Sequence, residues 1–356
     1  MIALIVGRNF KSSATRCVWL YLWHTLLCIA YCLYVIQNGG DAIGYYQSAV
    51  LGRVELNFGT AGVNYLTMLM VQGFGLSFLG ASLLYNIFGV IGLQAFDASL
   101  RYATYDKARK VRLLSTLIVF LPSVSFWSSG IGKDSLAFMA VGVALWATLD
   151  LDRRIPLMAF AVAVMLLVRP HMAGAMIIAL TLATLFDRRI SGGKRLLLGV
   201  MATAGSSLMI PFALKYAGVE ESVSADVLTG YIEQRQSYNL EGGGGVDIAS
   251  MNFFMKLFTY LFRPIIFEAK TAAAFAASID NLILLSLFFI GWRAFLGKGV
   301  RVWRENRIFM WVYILVGWGV LASTTANLGI AVRQKWMFVP IIIFLLVSAV
   351  GRKREL

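Results

Sequence analysis

Four short motifs place charged side chains close to proline or glycine within otherwise apolar sequence. The motifs are "GKDS", with Lys133 and Asp134; "VRPH", with Arg169 and His171; "FRPIIFE", with Arg263 and Glu268; and "VRQK", with Arg333 and Lys335. The planar guanidinium of arginine matches the oxygens of a phosphate, and lysine adds a compact positive charge. Carboxylates and imidazoles can accept or donate a proton. Together these residue types are suited to hold a phosphate or diphosphate and to move a proton beside it.

A further acidic residue and several aromatic residues accompany these motifs. Asp41 follows two glycines in "GGDAIGYY", which also contains Tyr45 and Tyr46, and Trp127 lies shortly before Lys133. The aromatic rings could stack on sugar rings, although Trp and Tyr also form belts at membrane interfaces. Asp41 is a candidate for proton transfer, and the alternative is that it is a solvated loop residue.

The elements that carry these motifs are predicted to be membrane-spanning helices. The chain has 356 residues, of which 59% are hydrophobic and only 14% are charged, and its mean hydropathy is +0.74. This composition excludes a disordered chain and a soluble domain. A bilayer core about 30 Å thick requires roughly 20 apolar residues per helix. The windows that meet or approach this length are Cys17–Gln37, Leu76–Phe96, Leu113–Ser129, Ser135–Leu149, Leu196–Tyr216, Thr271–Trp292, Phe309–Ser323 and Trp336–Val350.

The segment Ile155–Phe186 is long enough for one and a half spans, yet both of its ends are basic. Because Pro170 interrupts helical hydrogen bonding, the segment is predicted to form two short helices that meet at "VRPH". Residues 61–72 are apolar but short, which favours an interfacial or re-entrant helix. The predicted fold class is all-α: a polytopic transmembrane helical bundle of about ten membrane segments, including this short broken hairpin. Residues 1–356 are predicted to form a single integral-membrane domain.

The distribution of Lys and Arg predicts the orientation of the chain, whose net charge is +14. The basic clusters are Arg8–Arg16, Arg101–Arg112, Arg153–Arg154, Arg188–Arg195, Arg293–Arg307 and Arg352–Arg354. The positive-inside rule assigns such clusters to the cytoplasm, where they can also contact anionic lipid head groups. Both termini are then cytoplasmic, and the excess charge is a topology signal rather than a nucleic-acid-binding surface.

With this orientation, the four charged motifs all lie at the outer ends of helices. Charges at such positions usually face a cavity or one another, and the alternative is that they are independent interfacial anchors. Residues 38–58 are predicted to form an outer loop, and residues 217–252 a longer periplasmic loop. The glycine run Gly242–Gly245 in the second loop is either a flexible connector or part of a mobile lid.

The sequence predicts no metal and no cofactor. His24 and His171 are the only two histidines, and no His/Cys/Glu spacing suits zinc. The three cysteines, Cys17, Cys28 and Cys32, all lie in the first helix and are predicted to pack against lipid or the core. The absence of a Walker loop, a GxGxxG motif and a G-x-S-x-G elbow disfavours ATP-driven transport and soluble-type hydrolysis.

Four longer stretches, "PSVSFWSSGIGKDSL", "LLVRPHMA", "FRPIIFEAKTAAAFAASIDNLILL" and "NLGIAVRQKWMFVP", resemble bacterial O-antigen and exopolysaccharide polymerases. More loosely, the chain resembles C-type integral-membrane glycosyltransferases, and the resemblance extends from Asp41 to Pro340. It implies a polyprenyl-linked sugar donor and a reaction at the periplasmic face of the bacterial inner membrane. C-type enzymes carry an acidic residue in the first outer loop, a position that Asp41 matches, but the usual paired acid is not evident. Polymerases of this kind rely on outer-face arginines, and this chain has several.

The sequence therefore predicts a glycosyltransferase or polysaccharide polymerase that joins polyprenyl-diphosphate-linked oligosaccharide units. The predicted phosphate- and substrate-binding residues are Lys133, Arg169, Arg263, Arg333, Lys335, Tyr45 and Trp127. Asp41 is the predicted base for the acceptor hydroxyl. Asp134 and Glu268 are less favoured for that role, and His171 is a candidate acid or base.

The predicted partners are the lipid-linked oligosaccharide, membrane lipid and other polysaccharide-assembly proteins, without nucleic acid. The alternative function is a transporter or flippase of lipid-linked sugars, which would be expected to show internal repeats and charges along both half-channels. The special motifs of this chain lie on one side only, which favours the enzyme. A scaffold subunit is a third possibility.

Overall fold

The computed structural model describes residues 2–52, 54–186, 225–240, 244–296 and 306–350, together with positions 193, 196, 199, 200 and 207. Within these residues the regular secondary structure is helical, and Gly245 and Asn327 form an isolated antiparallel bridge. The all-α prediction is therefore confirmed for the described part of the chain. The predicted span Leu196–Tyr216 falls almost wholly outside it.

The chain divides into two compact units. The first unit comprises the described residues within Met1–Arg169, Ile290–Glu305 and Ile343–Leu356. Its helices are α1 (Ile2–Asn9), α2 (Ala14–Asn38), α3 (Asp41–Leu51), α4 (Thr60–Phe74), α5 (Phe78–Thr104), α6 (Arg109–Val119), α7 (Pro122–Trp127), α8 (Lys133–Thr148) and α9 (Leu151–Val168).

The second unit comprises the described residues within Pro170–Phe289 and Asn306–Ile342. The helices that begin in it are α10 (Pro170–Phe186), α11 (Ala225–Leu240), α12 (Phe253–Phe262), α13 (Ala272–Leu296), α14 (Arg307–Thr324), α15 (Leu328–Gln334) and α16 (Val339–Ala349). Helix α11 lies within the interval 217–252 that was predicted to be a loop.

Five helical segments of the described chain are long and apolar enough to cross a membrane. They are α2, α5, α13, α14 and the segment Arg109–Trp127 formed by α6 and α7. A sixth is present if Leu328–Met337 and Val339–Ala349, which are bent by 63° at Phe338, together make one span. These helices support a multi-pass membrane protein, while the figure of about ten segments and the location of the termini stay predictions.

Helix α8 occupies the interior of the first unit, since every residue from Ser135 to Thr148 is buried. It crosses α5 at two glycines: a Cβ added at Gly142 would lie 2.5 Å from the Gly92 carbonyl oxygen. Only glycine permits this approach, because real Cβ atoms are not found that close to backbone. The tight crossing fixes α8 and therefore fixes Lys133 and Asp134 at its N-terminal end.

A buried lysine joins the α5–α6 connection to the end of α16 within the first unit. Lys107 is 4% exposed, and its ammonium group donates to the carbonyl oxygens of Val347 (2.8 Å), Ser348 (2.6 Å) and Val350 (2.6 Å). The last carbonyls of a helix have no partner within the helix, and a cation also complements its dipole. Lys107 thus caps the C-terminal end of α16.

The chain breaks at "VRPH" as predicted: α9 ends at Val168 and α10 begins at Pro170. Arg169 itself has non-helical backbone angles, φ −146° and ψ 75°. Proline has no N–H to donate and disfavours a helical conformation in the residue before it, which explains the position of the break.

One sequence prediction about local structure was wrong. Residues 38–58 are not a loop throughout, because Asp41–Leu51 forms helix α3, which is bracketed by Gly40 and by Gly52 with φ +69°. The predicted window Leu113–Ser129 overlaps the candidate span Arg109–Trp127, in which the helix is interrupted at Phe120 and Leu121 before Pro122 begins α7. In both intervals a glycine or proline marks the observed boundary.

Candidate functional site

The first unit brings together two of the predicted charged motifs. Arg169 Nη2 donates a hydrogen bond of 2.9 Å to Asp134 Oδ1, which joins the end of α9 to the first turn of α8. The two side chains are only 13% and 19% exposed. Asp134 also lies where the dipole of α8 favours a negative charge. The "GKDS" and "VRPH" motifs therefore meet in space, although 35 residues separate them.

Arg169 keeps one donor unused beside this ion pair. Its Nε–H is buried and has no hydrogen-bond partner among the described residues. More than 90% of buried polar groups in proteins have a partner, and leaving one unpaired costs about 1–3 kcal/mol. A ligand with an acceptor oxygen would remove this cost.

Lys133 reaches the neighbouring helix α4, where its ammonium group donates to Thr60 Oγ1 over 2.7 Å. The start of α4 is in turn anchored to the end of α9, because the Gly59 N–H donates to the Leu167 carbonyl over 2.7 Å. Gly62 makes this approach possible, since a Cβ there would lie 2.9 Å from the Leu167 oxygen. Lys133, the start of α4 and the end of α9 are thus parts of one cluster.

Helix α3 contributes Asp41 and Tyr45 to the same end of the first unit. Tyr45 is buried, and its ring lies 3.8 Å from the position that a Cβ would take on Gly132, the residue before α8. Asp41 is the first residue of α3, one helical turn earlier, and is exposed. Trp127 is half-buried and packs edge-on against Tyr31, with ring centroids 6.3 Å apart.

We call the group formed by Asp41, Tyr45, Lys133, Asp134 and Arg169 the α8 cluster. The cluster contains two cations, Lys133 and Arg169, and two carboxylates. Asp134 is paired with Arg169, whereas Asp41 is exposed to solvent. The Asp134 carboxylate is engaged by the Arg169 guanidinium and its side chain is only 19% exposed. The exposed Asp41 has the better access to a proton from outside the protein.

The second unit contains the other predicted residues. Arg263 Nε donates to both carboxylate oxygens of Glu268, at 2.9 and 3.1 Å, and the Ile265 N–H donates to the same carboxylate at 3.0 Å. The hydrogen bond from Arg263 lowers the pKa of Glu268 from its usual value, and the Ile265 N–H acts in the same direction. Glu268 is therefore held as an anion and is poorly suited to accept a proton at neutral pH.

Lys335 lies in the interior of the second unit. It is 1% exposed, and its ammonium group donates to Asn281 Oδ1, while Asn281 Nδ2 donates to the Pro264 carbonyl over 2.9 Å. Asp280 is 3% exposed and close enough to act electrostatically on Lys335. This buried network reaches the residue next to Arg263, so Lys335 supports the "FRP" segment from inside.

Asp280 and Asn281 were not among the predicted site residues. Their signal in the sequence is the polar pair in "ASIDNLIL", within an otherwise apolar helix, because polar groups inside membrane segments are rare and usually functional. Arg333 on α15 and His171 at the second position of α10 are both half-buried. These residues belong to the second unit and not to the α8 cluster.

The described residues contain no group of three or more His, Cys, Asp or Glu side chains that could hold a metal ion. Cys17, Cys28 and Cys32 are free thiols and are buried. No family model, curated protein or solved structure matches this chain. The function of the protein is therefore inferred from its own residues.

Proposed function

We propose that this protein is a membrane glycosyltransferase or polysaccharide polymerase. It acts on polyprenyl-diphosphate-linked oligosaccharide at the periplasmic face of the bacterial inner membrane, alongside other polysaccharide-assembly proteins. The observation that carries the proposal is the unpaired, buried Nε–H of Arg169 at the end of α9. Arg169 is paired with Asp134, the residue that follows Lys133. The five or six candidate membrane spans support a substrate that is anchored in lipid.

A diphosphate would satisfy the groups that the α8 cluster leaves available. The Arg169 Nε–H would donate to a phosphate oxygen, and Asp134 would hold the guanidinium in the required orientation. Lys133 adds a second positive charge at the N-terminal end of α8, where helix dipoles also favour anions. Cations placed at the departing diphosphate would stabilise the charge that develops as it leaves.

The proposed reaction is the transfer of a glycosyl group from diphosphate to a hydroxyl. The acceptor oxygen forms a bond to the anomeric carbon, and the bond between that carbon and the diphosphate oxygen breaks. Asp41 takes the proton from the acceptor hydroxyl, and the lipid diphosphate leaves with the bonding electron pair. Lys133 and Arg169 hold the leaving group during this step.

The second candidate function is transport of a lipid-linked sugar across the membrane. One observation favours it: Lys335, Asn281 and Asp280 form a buried polar network in candidate membrane segments of the second unit. Ionisable residues in such segments often mark a transport pathway. A transporter would move the intact lipid-linked sugar and would form no new glycosidic bond.

A reconstituted assay separates the two functions. The purified protein is inserted into vesicles with a lipid-linked oligosaccharide, and both chain lengthening and movement of the lipid-linked sugar are measured. We expect wild-type protein to lengthen the chain and Arg169→Gln to lower the rate by about 10²–10⁴-fold. Arg153→Gln is the matched control, because Arg153 lies on the same helix with an 86% exposed side chain. Movement of the sugar without lengthening would support the transporter and contradict the enzyme.

A further inference from the structure

The loop that precedes Lys133 is held by one face of α2. The loop comprises residues 128–132, "SSGIG", and connects α7 to α8. The α2 residues that contact it are His24, Cys28 and Tyr31, which are spaced four and three residues apart and so lie on one side of the helix. All three are buried.

His24 makes two hydrogen bonds in a fully buried position. Its Nδ1 lies 2.5 Å from Asn86 Oδ1, and its Nε2 lies 3.1 Å from Ser128 Oγ. Asn86 Nδ2 donates to Thr25 Oγ1 over 2.8 Å, so the Asn86 oxygen must face the imidazole. Both ring nitrogens of His24 are therefore engaged, and Ser128 Oγ also donates to the Val124 carbonyl over 2.5 Å. This arrangement ties the first residue of the loop to α2 and α5.

The next two loop residues contact the same face of α2. The Cys28 thiol lies 3.3 Å from the Ser129 carbonyl oxygen. A Cβ added to Gly130 would lie only 2.1 Å from Tyr31 Cε1, so this glycine packs directly on the tyrosine ring. Each of the first three loop residues therefore has its own partner on α2.

The loop needs these partners because its own sequence specifies little structure. "SSGIG" contains two glycines and two serines, residues that readily adopt several turn conformations. Burying the His24 and Ser128 polar groups is costly unless both are paired. An apolar residue at position 24 would pack α2 against the core equally well. A histidine there adds the hydrogen bond to Ser128.

We propose that His24, Cys28 and Tyr31 are positioning residues that fix residues 128–132 and thereby hold Lys133 and Asp134 in place for the diphosphate. The part of this inference that concerns the ligand rests on the proposed function. The part that concerns the loop does not.

The test uses full-length protein purified in detergent, with three variants. His24→Phe keeps a ring but removes both hydrogen bonds, and Ser128→Ala removes the loop side of the contact. Thr25→Val is the matched control, because it removes a hydrogen bond of the same network without touching the loop. Hydrogen–deuterium exchange is measured for peptides covering residues 128–134. Binding of farnesyl diphosphate is measured in parallel.

We expect His24→Phe and Ser128→Ala each to raise exchange in residues 128–134 and to weaken farnesyl diphosphate binding about tenfold, as the loss of one hydrogen bond would. The double variant should show less than the sum of the two single effects, because both variants remove the bond between His24 and Ser128. Thr25→Val should leave exchange in the loop near the wild-type level.

Unchanged exchange in residues 128–134 of His24→Phe would overturn the inference. Equal changes in His24→Phe and Thr25→Val would also overturn it, since they would indicate a general loss of stability. If exchange rises as expected while wild-type protein fails to bind farnesyl diphosphate, the role of α2 in holding the loop is supported and the proposed ligand is refuted.

Discussion

The ion pair between Asp134 and Arg169 can be tested by removing each partner separately and then both together. The variants are Asp134→Asn, Arg169→Gln and the double variant. Arg169→Gln leaves a largely buried carboxylate without its cation, and Asp134→Asn leaves a largely buried guanidinium without its anion. The double variant contains two neutral amides and no uncompensated charge.

The burial of the pair sets the expected magnitude. Removing one partner of a fully buried pair costs about 3–5 kcal/mol, whereas exposed pairs contribute about 0.2–1 kcal/mol. With side chains 13% and 19% exposed, this pair lies nearer the buried limit, and it has one direct hydrogen bond of 2.9 Å. We therefore expect each single variant to lose about 2–3 kcal/mol of unfolding free energy. The double variant should lose about the same amount and not the sum.

The assay is reversible unfolding in mixed detergent micelles, followed by the fluorescence of the nine tryptophans. The coupling free energy between positions 134 and 169 should be about 2 kcal/mol. A coupling below about 0.5 kcal/mol would refute the reasoning, because the two sites would then be energetically independent. The double variant should also remain inactive in the reconstituted assay, because it lacks the Arg169 guanidinium.

Three further predictions concern other parts of the chain. Lys335→Met should lower the unfolding free energy by about 3 kcal/mol, because it leaves buried polar partners behind, and denaturant titration beside a surface-lysine variant checks this. Because the pKa of Glu268 is lowered in the folded state, its ion pair adds free energy of unfolding at any pH above the usual value of 4.5. This contribution is lost as the pH falls through the lower pKa of the folded state. Unfolding measured across that pH range should show the loss in wild-type protein and not in Glu268→Gln. Cysteines can be introduced singly at the exposed positions Leu56, Phe267 and Tyr105. An impermeant reagent added outside the cell should label the cysteines at positions 56 and 267 and should not label the one at position 105. Reversed labelling would contradict the predicted orientation.

The sequence was most informative where the chemistry of a single residue decides the local structure. Pro170 predicted the break between α9 and α10, because proline cannot continue helical hydrogen bonding whatever surrounds it. The apolar windows likewise predicted α2, α5, α13 and α14, since their composition already fixes their preference for a membrane.

The sequence was less informative where distant residues decide the outcome. Helix α3 lies in an interval with turn-forming glycines, and its buried Tyr45 packs near Gly132, far away in the chain. The bond between Lys335 and Asn281 joins residues 54 positions apart, and no local pattern predicts such a pair. The same holds for Asp134 and Arg169: their residue types indicated an outer-face site, but only the structure gives their pairing.

The cap that Lys107 forms on α16 has a consequence for the order in which the protein is completed. Its first acceptor lies 240 residues further along the chain. At about 5–20 residues per second, the ribosome reaches that acceptor on the order of tens of seconds after it has added Lys107. The first unit therefore receives one of its buried contacts only after a further 240 residues have been added. Chains that stop before residue 347 would lack it, and a nascent chain of that length should be the preferred target of membrane quality-control proteases.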